Sequence, residues 1–159
     1  MKKRLKITAI LLVLCMALAL LCGCADTGST RPSPAEHSDF SAQLIDENGS
    51  YSTRDELALY IHIYGCLPQN FVTKSEARAA GWEGGSLEDY LPGKCIGGDR
   101  FGNREGLLPD ALGRSWTECD VNTLGASSRG AERIVFSNDG LIYYTGDHYG
   151  SFELLYGAA

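Results

Sequence analysis

The stretch "ERIVFSNDGLIYYTGDHYGSFELLY", residues 132–156, decides the fold class. Three short runs within it, "ERIVFS", "LIYYT" and "SFELLY", are rich in β-branched and aromatic residues, which fit a pleated, half-buried surface. Asn138-Asp139-Gly140 separates the first two, and Thr145-Gly146-Asp147 follows the second. Both are turn-formers, and such short connections suit hairpins, since parallel crossovers need more chain. Upstream, "KCIGGDRF" and "RSWTECDVN" have the same character and extend the sheet.

Ahead of these strands the pattern is helical. "STRDELALYIHIYGCLP" begins with Thr53 and, three residues on, Glu56, the pair that can satisfy free N–H groups at a helix start. Leu57, Leu59, Tyr60, Ile63 and Tyr64 recur at helical spacing until Gly65 and Pro68 stop the run. Thr73 with Glu76 opens a second, short helix that Gly81 ends, and Ser86 with Asp89 opens a third. Helices first and strands afterwards predict an α+β domain, N-terminal helices packed on a C-terminal antiparallel sheet.

The first residues have a different purpose. A basic start (Lys2, Lys3, Arg4, Lys6) and an apolar run over residues 7–21 make an export signal. "LCGC" at its end resembles the box at which bacterial lipoprotein precursors are cut before a lipid-bearing cysteine, here Cys24. The expected organisation is a signal peptide over residues 1–23, a disordered tether over 24–50 and one folded domain over 51–159. The tether is small, polar and proline-containing, and as a flexible coil its length spans roughly 25–30 Å. Of the three histidines, His37 lies in this tether and His62 on the first helix, where a solvated or partly packed role is expected.

Charge and cysteine content narrow the function classes. Loss of the signal removes four of the 14 Lys and Arg and none of the 20 Asp and Glu, leaving 10 against 20 and a formal charge of −10. So acidic a domain binds nucleic acid poorly by overall charge, and any such role requires local clustering of cations. Once Cys15 and Cys22 leave and Cys24 is lipidated, Cys66, Cys95 and Cys119 remain. Three thiols in an oxidising compartment imply one disulfide and one leftover, with the pairing open, and their long spacings argue against zinc.

Several polar residues fall where core patterning does not ask for them. Trp116 and Glu118 are two apart in a strand, so they share a face. Arg129 and Arg133 precede a strand, Arg104 and Glu105 occupy a loop, and Lys74 begins a helix. His148 follows the last hairpin turn. Each alone is most often a solvated charge. Together, a carboxylate, an imidazole and several cations are the parts needed for phosphoryl transfer from RNA without a metal. One group takes a proton from a ribose 2′-OH, another protonates the leaving oxygen, and cations stabilise the phosphoryl oxygens.

The segments "LPQNFVTKSEARAAGW", "PGKCIGGDRFGNREGLLP", "GRSWTECDVN", "SRGAERIVFSNDGLIYYTGDHYGSF" and "LLY" stand in an order and spacing that resembles the barnase-like microbial guanyl-specific ribonucleases. The likeness runs from about residue 55 to 156. It implies Glu118 as general base and His148 as general acid, with Lys74, Arg129 and Arg133 on the scissile phosphate. It further implies that Phe101, Gly102, Asn103 and Arg104 present backbone N–H groups and a packing surface to guanine, that the Glu105 carboxylate takes the guanine N1 and N2 edge, and that Tyr149 shapes the pocket. Asp99 and Arg114 would orient these charges. The family fold pairs the strands holding Cys95 and Cys119, which implies a disulfide there and a free Cys66.

The pattern departs from the family in three places: Gly102 stands for a serine, one residue is inserted before Arg129, and "WEGGSLEDY" is short. The resulting expectation is an exported, lipid-anchored, monomeric endoribonuclease that cuts single-stranded RNA after guanosine and needs no metal or cofactor. Two rival readings are a non-catalytic RNA- or nucleotide-binding lipoprotein and an antibacterial ribonuclease toxin neutralised by a barstar-like inhibitor.

Overall fold

The computed structural model describes residues 45–158. The expected signal peptide, Cys24, His37 and most of the tether lie outside the described residues. Among the described residues, two helices, α1 (Arg54–Tyr64) and α2 (Lys74–Ala79), and six strands follow one another: β1 (Phe71–Val72), β2 (Cys95–Phe101), β3 (Trp116–Asp120), β4 (Arg133–Ser137), β5 (Ile142–Thr145) and β6 (Glu153–Tyr156). The strands form one sheet in chain order. From β2 to β6 every pairing is antiparallel, as the short β4–β5 and β5–β6 connections require for the last two.

The sheet is mixed, however, because β1 pairs with β2 in parallel, Phe71 beside Cys95 and Val72 beside Ile96. A two-residue strand between Pro68 and the cap of α2 has no alternation to betray it. The chain also does not form the third expected helix. Ser86 Oγ accepts from the N–H of Glu88, and a single turn closes from Leu91 N–H to the Leu87 carbonyl before Pro92 intervenes.

At α1 the expected cap differs in detail. Thr53 Oγ1 donates to Glu56 Oε2 at 2.5 Å, and neither side chain caps a backbone N–H. Gly65 ends the helix at φ 69°, a left-handed conformation that costs a glycine little, and its N–H returns to the Ile61 carbonyl. The second cap is complete: Thr73 accepts from the Glu76 N–H, and Glu76 accepts from that of Thr73.

Folded chain begins earlier than residue 51. Ile45 is buried, its carbonyl accepts from Tyr64 Oη at 3.0 Å, and the Glu47 carbonyl accepts from Tyr60 Oη at 2.8 Å. The last residues assigned to the tether thus dock on α1.

The alternation of the central strands gives the sheet two packed faces. Leu57, Ala58 and Ile61 of α1 cover one, meeting Cys119, Val121, Ile134, Phe136 and Ile142. On the other, Trp116, Val135 and Tyr143 pack with Leu108 and Leu141, flanked by Phe101, Tyr149 and Phe152. Glu118 lies on this second face because it is two residues from Trp116. A third cluster, Ala77, Trp82, Leu87 and Ile96, seats α2.

The expected Cys95–Cys119 disulfide is absent, and Cys66, Cys95 and Cys119 are free thiols. Cys119 stands directly opposite Gly97, so Cys95 is only its diagonal neighbour, a relation that places Cα atoms about 7–8 Å apart, too far for a bridge. Burial raises both thiols, and Cys119 well above its ordinary value.

Gly97 is needed for space. A Cβ there would sit 2.6 Å from both the Cys119 Cβ and the Phe71 ring. Gly97→Ala should therefore cost about 1–3 kcal/mol through overpacking, to be read as a lower denaturation midpoint with unchanged slope.

Candidate functional site

An open cleft of about 880 Å³ runs along the face opposite α1, lined by Lys74, residues 100–105, Glu118 and residues 148–150. Its floor is Glu118. The pleat directs this carboxylate outward from β3, with side-chain exposure of only 11%. Both its oxygens are occupied: Oε1 pairs with Lys74 Nζ, and Oε2 accepts from Tyr149 Oη at 2.6 Å. Lys74 is set in place by the Thr73 cap, and its own N–H donates to Asp99 Oδ2 at 2.9 Å. Asp99 thus holds the first turn of α2, the turn that carries Lys74.

Tyr149 is held from both sides. Its ring stacks on Phe101 with centroids 5.2 Å apart, and its N–H donates to Thr145 Oγ1 at 3.0 Å. Burial, and then the bond to Glu118, raise its phenol well above the usual range, so the hydroxyl remains a donor at any ordinary pH.

His148 lies at the rim, exposed. It and Tyr149 adopt positive φ, 56° and 72°, rare for residues with a Cβ and worth about 1–2 kcal/mol of strain each. The loop holds this shape through Asp147, whose Oδ1 accepts from Thr145 Oγ1 and the Ser151 N–H and whose Oδ2 accepts from Ser151 Oγ. The Ser151 bonds, first of all, lower the Asp147 carboxyl to about 2. The His148 N–H adds a bond to the Ala131 carbonyl at 3.2 Å.

On the opposite rim, the loop after β2 is shaped by Asn103. At φ 43° its side chain accepts from the Leu108 N–H at 3.0 Å and donates to the Leu108 carbonyl at 2.9 Å. Asn103 therefore folds the loop from within, which leaves Arg104 and Glu105 exposed. Gly102 has room for a side chain, as a Cβ would meet only Arg104 at 3.5 Å.

Arg129 and Arg133 converge on a residue that sequence reasoning missed, Asp120. Arg129 binds it with two hydrogen bonds, Nε to Oδ2 at 2.6 Å and Nη2 to Oδ1 at 2.7 Å. Arg133 stands opposite Asp120 in the β3–β4 register, its Nε 2.9 Å from Oδ1 in an ion pair too bent to count as a hydrogen bond. Its Nη1 donates to the Glu132 carbonyl at 2.6 Å. The signal was present in "WTECD", where Trp116, Glu118 and Asp120 share one face.

Arg114 is not brought to the site. Its Nε and Nη2 bind Asp139 in the β4–β5 turn, at 3.0 and 2.8 Å, and its Nη1 donates to the Pro109 carbonyl at 2.7 Å. It ties the long β2–β3 connection to that hairpin and orients no charge in the cleft. His62 likewise stays away, stacked on Tyr156.

A family model described as ribonuclease matches residues 54–156. A ribonuclease of Heyndrickxia coagulans is 50% identical over 103 residues, which cover 64% of this chain and 94% of that protein. A ribonuclease of Bacillus intermedius has the same identity over 103 residues, 63% of its own length. Guanyl-specific ribonuclease St of Saccharopolyspora erythraea is 46% identical over 57 residues, 36% of this chain and 56% of that protein.

Two outcomes follow from this geometry. Asp120→Ala leaves two arginines facing each other in a mostly buried site, and unfolding measurements should show a loss of about 3 kcal/mol or more. For Asp147 the folded carboxyl is depressed from 3.8 to about 2, so its hold on the loop is complete above pH 3.8 and fades as pH falls through about 2. The backbone amide resonances of Tyr149 and Ser151 should report that loosening in this acid window, and Asp147→Asn should bring it to neutral pH.

Proposed function

Since the chain belongs to the ribonuclease family, we propose that this endoribonuclease cuts single-stranded RNA on the 3′ side of guanosine, leaving a 2′,3′-cyclic phosphate. The observation that carries the proposal is the buried Glu118 carboxylate on the cleft floor, with an imidazole on one rim and an open, pre-shaped loop on the other. A carboxylate fixed between Lys74 and Tyr149 is positioned to act as a base, and it has lone pairs free for a 2′-OH.

In the proposed reaction Glu118 takes the 2′-OH proton while the oxygen attacks phosphorus in line. His148 gives a proton to the departing 5′-oxygen. Lys74, Arg129 and Arg133 meet the charge that develops on the phosphoryl oxygens, so the reaction calls for no metal. The cyclic product is hydrolysed more slowly with the two roles reversed. DNA is not a substrate because it lacks the attacking hydroxyl.

Guanine lies in the loop of residues 101–105. Among the described residues, the N–H groups of residues 102–105 donate to no acceptor in the chain, which leaves them available to a base. Phe101 supplies the packing surface and Glu105 the acceptor for the N1 and N2 edge. Relatives that bear the name guanyl-specific ribonuclease support this choice of base. The export signal and Cys24 complete the proposal, placing the enzyme outside the cytoplasm on a lipid anchor.

Product analysis of a defined RNA in the presence of a chelator tests the reaction: cyclic phosphate ends after guanosine are expected. If adenylyl dinucleotides are cut as fast as guanylyl ones, the base assignment is wrong. Glu118→Ala and His148→Ala should each lower kcat by about 10²–10⁴-fold. Wild-type kcat/KM should be bell-shaped in pH, with the acid limb absent in the first variant and the basic limb absent in the second.

A further inference from the structure

The loop from β3 to β4 carries Arg129, and its base and tip are held by different parts of the chain. At the base the Asn122 N–H donates to the Ser52 carbonyl at 2.7 Å and the Val121 N–H to the Glu132 carbonyl at 3.2 Å. Asn122 Nδ2 also donates to Glu132 Oε2, at 2.9 Å. At the tip, Ser86 Oγ donates to the Ala126 carbonyl at 2.8 Å, across 40 residues of chain. Among the described residues this is the only hydrogen bond that residues 124–128 make outside their own loop.

Ser86 is a firm point of attachment. Trp82 and Leu87, on either side of it, are buried with Ala77 and Ile96. Its oxygen accepts from the Glu88 N–H at 3.2 Å, and its single O–H serves Ala126. The same segment touches the loop again where the Trp82 ring lies 5.5 Å from the Arg129 guanidinium carbon. Two departures from the family pattern, the short segment over residues 82–90 and the residue inserted before Arg129, therefore face one another in these contacts.

Of the two arginines on Asp120, Arg129 is the one whose place depends on this loop. Arg133 belongs to β4, its side chain is 3% exposed, and its Nη1 donates to the carbonyls of residues 129, 130 and 132. Arg129 lies outside any strand with its side chain 24% exposed. Its Nε and Nη2 hold Asp120, which leaves Nη1 for an oxygen of the phosphate. We infer that Ser86 is a positioning residue for Arg129: its bond to Ala126 fixes the loop so that the free edge of the guanidinium meets the phosphoryl oxygens as charge develops on them. The inference rests on the ribonuclease reading and on the phosphate role proposed for Arg129. Ser86 acts through the loop and not on the substrate.

The test measures kcat and KM on a guanylyl dinucleotide for wild type, Ser86→Ala, Arg129→Ala and the double variant, each first shown to be folded by denaturant unfolding. In Arg129→Ala the Asp120 carboxylate keeps Arg133 as its partner. Thr53→Ala, which removes a hydroxyl at the start of α1, is the control. Ser86→Ala should lower kcat by about five- to tenfold and leave KM within about twofold. Arg129→Ala should lower kcat by about 100-fold. Adding Ser86→Ala to that variant should change kcat by less than about twofold, because the group it positions is gone. Thr53→Ala should keep the wild-type kcat. A full further loss in the Arg129→Ala background, an equal effect of Thr53→Ala, or a wild-type kcat in Ser86→Ala would each overturn the positioning role. A wild type that cuts no guanylyl dinucleotide sinks the ribonuclease reading, and an Arg129→Ala variant with wild-type kcat sinks the phosphate role, so those failures are told apart from a failure at Ser86.

Discussion

Asp120 stands at the end of β3, 1% exposed, with arginines on both its oxygens. Removing a carboxylate from water costs several kcal/mol, and two guanidinium groups brought together repel one another. Each of these arrangements is unfavourable alone, and together they cancel. The carboxylate gains two cationic partners, and the cations gain a shared counter-charge that lets them stand side by side. Arg129 is fixed further by the Trp82 ring, 5.5 Å from its guanidinium carbon. Because Asp120 is two residues from Glu118, the same strand that presents the carboxylate of the cleft floor also anchors the arginines beside it. The β3–β4 register thus positions both.

This anchoring matters because the molecule as a whole is acidic. Long-range attraction does not bring a polyanion to it, and at 0.15 M salt surface charges beyond about 8 Å are largely screened. What an approaching phosphate meets is local: Lys74, Arg100 and Arg104 along the cleft, with Arg129 and Arg133 next to it. Glu118 offsets part of that positive charge, and Asp120 another part. Those two carboxylates let Lys74, Arg129 and Arg133 be held together in a stable fold while the site keeps an excess of positive charge.

Much of the fold was legible because the central strands alternate. Trp116, Glu118 and Asp120 point one way and Thr117 and Cys119 the other, and hairpin turns fix the strand order. β1 was not legible, since two residues cannot show a period, and the Ser86 box misled because Pro92 cuts the helix before a second turn. The site was less legible than the fold. Period two puts Glu118 beside Trp116, but the donors to its oxygens come from 44 residues upstream and 31 downstream. Only the family resemblance joined them. The same resemblance misplaced Arg114, whose partner across 25 residues is a turn aspartate, and it paired two cysteines that the register holds on a diagonal. Cross-strand register, not strand adjacency, decides such contacts.

The two proposed proton-transfer groups are built differently. Glu118 stands mid-strand, flanked by Asp99 and Val135 across the ladder, and is almost closed off from water. His148 stands on an exposed turn of strained backbone that an aspartate and two hydroxyls hold in shape. In the proposed cycle these demands do differ. A base that is to take a proton from one ribose hydroxyl must be aligned and shielded, because alignment sets the rate and water competes for the carboxylate. Each first step leaves Glu118 protonated and His148 deprotonated, and both must reset before the next; exposure lets His148 do so directly with solvent. Burying His148 to the depth of Glu118 would improve its alignment while disfavouring its charged form. A rim position on a locked loop meets both requirements, which gives the strain at residues 148 and 149 a physical reason.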